Sequence, residues 1–568
     1  MAYKVLSYQE LRKIVWFVAD TIRDKGRGGI NDYMAITIGI TFLKRFMDMR
    51  AEFKRKFVTK GTTENSIYLL NGQSIDSAIK NHQSKAPEFE VLSNKLPIYR
   101  LEWNDIVSYP DGLADQSPVL YSDGLGGNHF QRDFVSKAQL FKECMDSFKH
   151  HTLHDMFDTL NFINKVYGGG SQDAAKERKQ QVLDFSDFEL IITELNKYSF
   201  DLEHASDDVF NHVYMDLMGR FATDGGKKGG EFFTPTNVVR GAIKFLDMKF
   251  KERKIIVSDF AAGACTFMVE FAKSYKVLFN DYFKGNKEVK FNDYIEFMTC
   301  EKEPISKVLG DANILSAGYS NNHVSFHANS LTEYDNYIEP NYGQKVDVVL
   351  INPPYGLKDY GYDYLLTNKS KRRWNFGVPN KGEGEYAFVM TALDLLNDEG
   401  KAVMVLPLGT LFKDITLTYR EKIIAKDWLE GIVVLPAGMF HTTSIPVCLW
   451  IINKKKDLKD QGKIFIVNAS TDFVKNGKIN EWNDIKSSEA YINRKEIKGY
   501  SGYIDLEKIT KNKYNLSISR YISENKVKKE IDLEKINYEV QELMGLISND
   551  MNDINNIISQ VIISNKKD

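Results

Sequence analysis

An asparagine, two prolines and a tyrosine occupy Asn352–Tyr355, directly after the run Val346–Ile351. Five apolar residues, interrupted only by Asp347, predict a strand that is buried on both faces. Because two prolines cannot continue a ladder of hydrogen bonds, the chain must leave the sheet at this point. In open α/β sheets, ligands bind at the carboxyl ends of the strands. The sequence therefore predicts a binding or catalytic site at these four residues.

This group suits the activation of a weakly nucleophilic exocyclic amine, such as that of adenine. The side-chain oxygen of Asn352 and the carbonyl of Pro353 can each accept one N–H, which draws the nitrogen toward a tetrahedral, more nucleophilic state. Pro354 belongs to the same turn, and Tyr355 can stack on a base that has left its duplex. With a sulfonium methyl donor, no covalent enzyme intermediate is needed. The simpler alternative is a proline turn after a core strand, with Asn352 capping and Tyr355 packing.

The ends of two other strand-like runs carry residues that suit a nucleoside-containing cofactor. Asp259 ends one run, and the small turn Ala261–Thr266 follows it, so that a helix N-terminus and bare backbone can approach a ligand. Glu301 ends the next run, about 40 residues further on, where an acidic group accepts bonds from ribose hydroxyls. Small residues after a strand are common, and the signal becomes specific because Asn352–Tyr355 follows at the end of a later strand.

Strand-like and helix-like segments alternate from residue 206 to residue 470, and this alternation predicts a doubly wound α/β sheet. Strands are predicted at 255–260, 295–300, 324–327, 346–351, 401–407, 431–435, 446–452 and 463–467, and helices at 304–317 and 385–397. A Gly-rich approach over 224–230 leads to Thr234 and Pro235. These two residues predict a helix start, with Thr234 as the cap and Pro235 at the first helical position.

Helical apolar stripes dominate on both sides of this segment. Residues 1–205 are predicted to form an all-helical N-terminal domain, with apolar stripes over 11–22 and 34–47. Residues 471–522 are interpreted as a mixed extension, and 523–568 as a C-terminal amphipathic helix with a stutter in its apolar spacing. That helix either docks on its own domain or packs against a partner.

Composition limits what the protein binds and where it acts. The 568 residues carry a net charge of −2, so nucleic acid would be held by a local patch or a partner rather than by a global basic field. The four cysteines show no paired spacing, which argues against a zinc site or a disulfide framework, and no metal is expected. With no signal-like N-terminus and no run of about 18 apolar residues, we expect a cytoplasmic protein without a membrane span.

Together these motifs resemble the modification subunit of type I restriction–modification systems, a family of S-adenosylmethionine-dependent N6-adenine DNA methyltransferases. Glu231–Pro235 is similar to the family's Phe/Tyr-Thr-Pro cofactor motif, Asp259–Gly263 to its glycine loop, and Asn352–Tyr355 to its catalytic tetrapeptide. Further similar segments lie at 42–45, 382–388, 405–407, 435–440 and 514–521. The likeness therefore runs nearly end to end.

The resemblance implies an adenine-specific, site-specific DNA methyltransferase with a Rossmann-like domain. It implies that the cofactor S-adenosylmethionine is bound by Glu231, Phe232, Phe233, Thr234, Pro235, Thr236, Asp259, Gly263, Ala264, Cys265, Thr266, Glu301 and Asn329. It also implies double-stranded DNA as the substrate, a specificity subunit and a motor-nuclease restriction subunit as partners, and two copies of the chain in each complex. The chain departs from the family at Cys265 and Thr266, where one or two glycines are usual, and at Asn329, where aspartate is frequent.

Several interpretations stay open at this stage. The insert 358–380 holds basic residues interleaved with aromatics, which suit phosphate contacts beside a flipped base, or else form a solvated loop. The basic residues are Lys369, Lys371, Arg372 and Arg373. Rival functions are a free-standing DNA methyltransferase, a catalytically silent scaffold, and a protein glutamine methyltransferase that shares Asn-Pro-Pro-Tyr. We expect specificity to come from a partner, because about 100 residues follow the last catalytic strand, fewer than a recognition domain needs. Cys265 and Cys300 are expected to pack as small buried hydrophobes.

Overall fold

The computed structural model describes most of the α/β region and parts of the segments on either side. The described residues are 3–24, 29–57, 119–122, 129–132, most of 183–206, 234–286, 288–317, 322–367, 372–440, 445–476 and 479–522, with further positions between 209 and 217, at 319, and between 537 and 554.

Thirteen strands and twelve helices of the described residues are numbered here in chain order, in addition to the C-terminal helical segment over 540–551. The strands are β1 Val119–Ser122, β2 His129–Arg132, β3 Ile255–Asp259, β4 Ile295–Glu301, β5 His323–His327, β6 Val346–Ile351, β7 Leu396–Pro407, β8 Leu429–Val434, β9 Val447–Asn453, β10 Lys463–Asn468, β11 Phe473–Asn476, β12 Ile479–Trp482 and β13 Ser501–Asp505. The helices are α1 Tyr8–Arg23, α2 Ile30–Phe57, α3 Phe185–Leu195, α4 Thr236–Lys244, α5 Thr266–Tyr282, α6 Pro304–Ser316, α7 Glu339–Tyr342, α8 Tyr362–Thr367, α9 Gly384–Leu395, α10 Leu417–Ala425, α11 Ile485–Ile492 and α12 Leu506–Lys511.

Nine of the strands form one mixed sheet in the order β13-β10-β8-β9-β7-β6-β3-β4-β5. Strands β3 to β7 run parallel to one another, whereas β9 lies antiparallel between β7 and β8. The chain winds outward from β3 to β5 and then returns to place β6 on the other side of β3. The strand order reverses at this point, and a crevice opens outside the carboxyl ends of β3 and β6.

The sheet is buried on both faces, and β6 shows this most directly because all six of its residues are buried. Val348 and Leu350 join the apolar core that α4 and α5 cover on one face. Val349 and Ile351 join the core that α9 and α10 cover on the other face. This alternation follows from the two-residue period of a strand, and helices on both faces explain the nearly continuous apolar run. The predicted doubly wound α/β fold is confirmed.

Asp347 is the one charged residue of β6, and it is satisfied at the amino end of the strand. Its carboxylate accepts two hydrogen bonds from Arg253, at 3.0 and 2.5 Å, and one each from the Ile256 amide and the Asn397 side chain, both at 3.0 Å. Burial raises the pKa of Asp347, but these hydrogen bonds outweigh burial and hold the pKa below its ordinary value. Asp347 therefore joins the start of β6 to the segments before β3 and in β7, on the sheet edge opposite Asn352.

The structure departs from the predicted domain plan in two places. Strands β1 and β2 form an antiparallel hairpin within 1–205, so that the prediction of an all-helical N-terminal domain is wrong there. Each of these strands has four residues, which is too few for an alternation of apolar and polar residues to be recognised beside the helical apolar patterns around them. The main sheet also extends beyond residue 470, because β13 pairs antiparallel with β10. A short edge strand such as β13 is fixed by its partner rather than by its own pattern.

The N-terminal helices share a core with the α/β region. Helix α1 begins with a capping box, in which the Glu10 side chain accepts from the Ser7 amide at 3.0 Å, and the predicted stripes over 11–22 and 34–47 lie on α1 and α2. Val308, Leu309 and Ala312 of α6 pack in the same apolar cluster as the buried side chains of α1, α2 and α3. That cluster also reaches the small turn after β3, so the N-terminal helices support this turn from behind.

The C-terminal segment is helical over 540–551 and lies in solvent. Its large apolar side chains are 46–67% exposed; they are Val540, Leu543, Met544, Leu546, Ile547, Met551 and Ile554. The described part of this helix therefore does not dock on its own domain, which was one of the two interpretations of the sequence. Within the part of the chain that the structure describes, none of the helices combines the length and apolar character that a membrane span requires.

Candidate active site

A cavity of about 190 Å³ lies outside the carboxyl ends of β3 to β6, where the strand order reverses. It is far larger than the roughly 30 Å³ that one water occupies. Residues at the strand ends and on the following turns line it: Thr234, Asp259, Phe260, Ala261, Ala262, Gly263, Ala264, Thr266, Phe267, Glu301, Lys302, Glu303, Asn329, Ser330, Leu331, Asn352, Pro354, Leu357, Asp359, Tyr360 and Phe388. The chain thus brings four strand ends to one pocket.

The turn after β3 is tied to the end of β4 by its backbone. The Gly263 amide donates to Glu301 Oε2 at 2.8 Å, and the Glu303 amide donates to Glu301 Oε1 at 2.8 Å. Gly263 has φ +50°, which glycine adopts without the steric cost of a Cβ. Asp259 Oδ1 accepts from the Ala261 amide at 3.0 Å. Burial raises the pKa of both Asp259 and Glu301, although these backbone hydrogen bonds lower it.

Cys265 has the left-handed conformation, with φ +56°, directly before α5. This backbone conformation explains why a glycine is favourable at the position. The Cys265 side chain is buried and is absent from the lining of the cavity, because it points toward α6, where Gly310 leaves room for its sulfur. Burial raises the pKa of its thiol, so the group is protonated. The predicted packing role is supported for Cys265, and also for Cys300, which is fully buried.

The turn after β5 forms a second wall of the cavity. Asn329 Oδ1 accepts from the amides of Leu331, at 3.0 Å, and Thr332, at 3.3 Å, while the Asn329 amide donates to Glu333. The side-chain oxygen of Asn329 therefore shapes the turn, and the side-chain Nδ2 is the polar group that remains to meet a ligand.

Asn352 is oriented by two hydroxyl groups from different parts of the chain. Its Nδ2 donates to Thr234 Oγ1 at 2.8 Å, and the Tyr355 hydroxyl donates to its Oδ1. The prediction that Thr234 caps α4 is wrong. The helix begins at Thr236, Pro235 is its N-cap and no side chain caps it, because the Thr234 hydroxyl is turned toward Asn352 instead.

Tyr355 packs inward rather than toward the cavity. Its ring lies against the apolar core beneath α4 and α5, and burial raises the pKa of its hydroxyl well above the ordinary value. The Gly356 amide, immediately after it, donates to Glu385 Oε1 at 2.7 Å. Glu385 is 4% exposed and its second oxygen has no hydrogen-bond partner among the described residues. The turn after β6 is thus anchored from below by a buried carboxylate.

The predicted site residues other than Arg372 and Arg373 divide into three groups. Those that line the cavity together are Thr234, Asp259, Gly263, Ala264, Thr266, Glu301, Asn329, Asn352 and Pro354. Those that lie next to it without lining it are Pro235, Thr236, Cys265, Pro353 and Tyr355. Glu231, Phe232, Phe233, Lys369 and Lys371 lie outside the described residues.

The structure contradicts the expected DNA-phosphate contact for Arg373, whereas for Arg372 that contact stays a prediction. The Arg373 side chain is fully buried and paired with Asp335 at 2.8 Å, so the prediction is wrong for this residue. Arg372 is half exposed, but its guanidinium is held by Asp394 at 2.6 Å and Glu339 at 2.8 Å. Basic residues in an insert are usually solvated, and local sequence carries no sign of these three acidic partners.

The lining also contains residues that none of the sequence motifs includes as a ligand contact. Phe260 and Phe388 stack with their ring centroids 6.0 Å apart, and Leu331 and Tyr360 add further apolar surface. Phe260 is the last residue of the strand predicted at 255–260 and directly follows Asp259, and this position is a signal that could have identified it. Leu331 lies two residues after the predicted site residue Asn329, Tyr360 lies in the insert, and Phe388 ends the family-like segment 382–388; tertiary folding brings these segments together.

Comparison with known proteins assigns the chain to a family. The chain matches the family described as N-6 DNA Methylase over residues 205–530, more than half of its length. It is 26% identical over 533 residues to the type I restriction enzyme MjaVII methylase subunit of Methanocaldococcus jannaschii, which covers 90% of this chain and 78% of that protein. The MpnII methylase subunit of Mycoplasma pneumoniae is 24% identical over 464 residues, which covers 75% of this chain and 82% of that protein.

A solved structure supports the same assignment at the level of the fold. The crystal structure of the type I restriction–modification system methyltransferase subunit from Streptococcus thermophilus superposes with a TM-score of 0.65 at 20% sequence identity, and the match covers 91% of this chain and 100% of that chain. The fold, the matched segment and the curated relatives agree with the motifs at β3, β4 and β6. The chain therefore belongs to the N-6 DNA methylase family, and the relatives reported above are methylase subunits of type I restriction enzymes.

Proposed function

We propose that the chain transfers a methyl group from S-adenosylmethionine to the N6 amine of a flipped adenine in double-stranded DNA, as the modification subunit of a type I restriction–modification complex. The observation that carries this proposal is the position of Asn352. Its side chain lines the same cavity as Asp259 and Glu301. The group that would accept hydrogen bonds from the adenine amine therefore lies beside the residues proposed to bind the cofactor.

The charge of the cavity supports a cationic cofactor. Asp259, Glu301, Glu303 and Asp359 supply acidic groups to the lining, and Lys302 supplies a basic one. Burial has already raised the pKa of Asp259 and Glu301, so a positively charged ligand would be favoured there and a phosphate-bearing one disfavoured. The apolar walls formed by Phe260, Phe388 and Leu331 suit a planar base. When bound, S-adenosylmethionine supplies an electrophilic methyl group on a positively charged sulfur.

The chain's own contribution to the reaction is to hold the adenine amine. Asn352 Oδ1 and the Pro353 carbonyl accept its two N–H groups and favour the tetrahedral geometry of the reacting nitrogen. Tyr355 rotates out of the core to stack on the flipped base, and this rotation releases Asn352 Oδ1 from the tyrosine hydroxyl. Thr234 keeps Asn352 Nδ2 occupied meanwhile, so the amide oxygen stays directed toward the substrate.

The C-terminal helix supports the contact with one of the proposed partners. It exposes Val540, Leu543, Ile547, Met551 and Ile554, at steps of three and four residues that place them on one face. We propose that this face packs against helices of a specificity subunit, which supplies sequence recognition. A motor-nuclease restriction subunit joins the complex for DNA cleavage, and two copies of the present chain serve each complex.

The first test measures cofactor binding and methyl transfer separately. S-adenosylmethionine is titrated into the purified chain by calorimetry, beside Asp259→Ala and Asn352→Ala. We expect saturable binding that Asp259→Ala loses and Asn352→Ala keeps, because Asp259 belongs to the cofactor side and Asn352 to the amine side. With the specificity subunit and DNA present, the wild type should form N6-methyladenine, measured by mass spectrometry of nucleosides, and Asn352→Ala should not. Full transfer by Asn352→Ala would overturn the proposed role of Asn352.

A further inference from the structure

The insert that follows the tetrapeptide contributes to two sides of the cavity. Asp359 and Tyr360, near its start, line the cavity directly, and the Tyr360 hydroxyl donates to the Pro379 carbonyl to close the insert on itself. Its later part forms a short helical turn at Arg372–Trp374, which contacts the cavity-lining residues Ser330 and Leu331. The insert is therefore joined to the pocket at both its beginning and its end.

Arg373 is the residue through which the later part makes contact. Its guanidinium donates to the carbonyls of Leu331, at 2.7 Å, and Ser330, at 3.4 Å. It donates as well to Thr391 Oγ1 at 3.1 Å and to Asp335 at 2.8 Å. Of these partners, Ser330 and Leu331 line the cavity, and Thr391 lies on α9, one turn after Phe388. One buried cation thus spans two walls of the pocket.

The surroundings of Arg373 hold the guanidinium in one orientation. The rings of Tyr334 and Trp374 lie 4.6 and 4.4 Å from it. Because the side chain is fully buried, no water replaces it at the carbonyls if it is removed, and buried carbonyls without a donor are unfavourable. An arginine presents five N–H donors spread over a planar fork, whereas the three donors of a lysine lie on one nitrogen and do not reproduce this geometry.

We propose that Arg373 is a positioning residue that fixes the distance between Leu331 and Phe388, the two walls that enclose the base of the cofactor. This inference rests on the proposed use of S-adenosylmethionine in the cavity. Arg373 acts on cofactor affinity and not on the chemical step, because none of its contacts reaches Asn352–Tyr355. It also replaces the role expected from the sequence, a phosphate contact, by a structural one toward the cofactor.

The experiment compares Arg373→Met, Arg373→Lys and Arg494→Met with the wild type. Arg494 is a matched control, since it is also a mostly buried arginine, paired with Glu430 at 3.2 Å and lying 4.3 Å from the ring of Tyr491, away from the cavity. Each variant is first checked by thermal unfolding. The dissociation constant of S-adenosylmethionine is then measured by calorimetry, and KM and kcat for cofactor and DNA are measured in the complex with the specificity subunit.

We expect Arg373→Met to weaken cofactor binding and raise the cofactor KM by about tenfold or more, with kcat at saturating cofactor within about threefold of wild type. Arg373→Lys should fold, because it keeps the charge opposite Asp335, and should give an intermediate effect. Arg494→Met should lower thermal stability and leave cofactor affinity within about twofold.

Two results would overturn the proposal. One is wild-type cofactor affinity in both Arg373 variants. The other is a rise in the DNA KM of the folded Arg373→Lys with a reduced salt dependence, which is the behaviour of a phosphate contact. Failure of the wild type itself to bind S-adenosylmethionine would instead contradict the proposed function, so the two failures are distinguishable. If Arg373→Met does not fold, Arg373→Lys alone decides between these outcomes.

Discussion

Replacement of Gly310 by alanine tests how tightly the cofactor turn is packed against α6. A Cβ added at Gly310 would lie 2.6 Å from Cys265 Sγ and 2.8 Å from the Gly263 carbonyl oxygen. Ordinary contacts of a Cβ begin at 3.4 Å. The Cys265 sulfur is confined by burial, and the Gly263 oxygen belongs to the backbone, so neither can yield without moving the turn.

The magnitude follows from these distances. The turn and the helix must separate by roughly 0.6–0.8 Å, and overpacking of this kind costs about 1–3 kcal/mol. Alanine in a helix interior recovers about 0.5–1 kcal/mol relative to glycine. We therefore expect Gly310→Ala to lower the free energy of unfolding by up to about 2.5 kcal/mol. Because Gly263 also donates to Glu301, the shift displaces both cofactor-side elements, and S-adenosylmethionine should bind at least several-fold more weakly.

The assay combines thermal unfolding with calorimetric titration of S-adenosylmethionine. Gly545→Ala is the matched control, because Gly545 is also helical, is exposed and has no atom within 4 Å of an added Cβ. It should leave cofactor affinity unchanged. An unchanged unfolding midpoint and an unchanged cofactor affinity in Gly310→Ala would refute the close packing described for this turn.

Three further predictions concern stability and assembly. Arg253→Met should destabilise the protein by about 1–3 kcal/mol at pH 7, since it removes the main partner of a buried carboxylate. The pKa of Asp347 is lowered in the folded state, so the stabilisation by the Arg253–Asp347 pair is present above the ordinary pKa of 3.8 and is lost as the pH falls below it. Unfolding curves of the wild type and Arg253→Met at pH 7 and pH 3 measure this difference. An equal loss of stability in the variant at both pH values would contradict the assignment. Burial lowers the pKa of His323 to about 4 from its ordinary 6.5, so the unfolded state binds the proton first, and stability should fall by about 3 kcal/mol as the pH drops from 6.5 to 4. His323→Gln should flatten this part of the pH profile, and an unaltered slope would assign it to other groups. Truncation after residue 522 should leave cofactor binding intact and abolish capture of the specificity subunit, measured by size-exclusion chromatography; retained capture would place the interface elsewhere.

The sequence was sufficient to locate the strand ends that form the site. Asp259, Glu301 and Asn352 each follow a short apolar run, and such runs are determined by local pattern and by burial on two faces. Since the carboxyl ends of parallel strands meet at one edge of the sheet, the amino-acid sequence alone assigns these three distant residues to one pocket. The predicted strands and the helices at 304–317 and 385–397 agree with the structure within two residues for the same reason, except that β7 begins at Leu396, five residues before the predicted start.

Only the tertiary structure decided which polar side chains that lie far apart in the sequence become hydrogen-bond or ion-pair partners. Thr234 looked like a helix cap because its neighbours fit one, but its hydroxyl meets Asn352, 118 positions away. Arg373 looked like a surface cation because inserts are usually solvated, but Asp335 and two buried carbonyls enclose it. Local sequence reports propensity and periodicity, whereas the fate of a single polar side chain depends on which distant groups the fold places beside it. For that reason the sequence determined where this site lies, and the packing of the sheet, its helices and the insert determined how each side chain serves it.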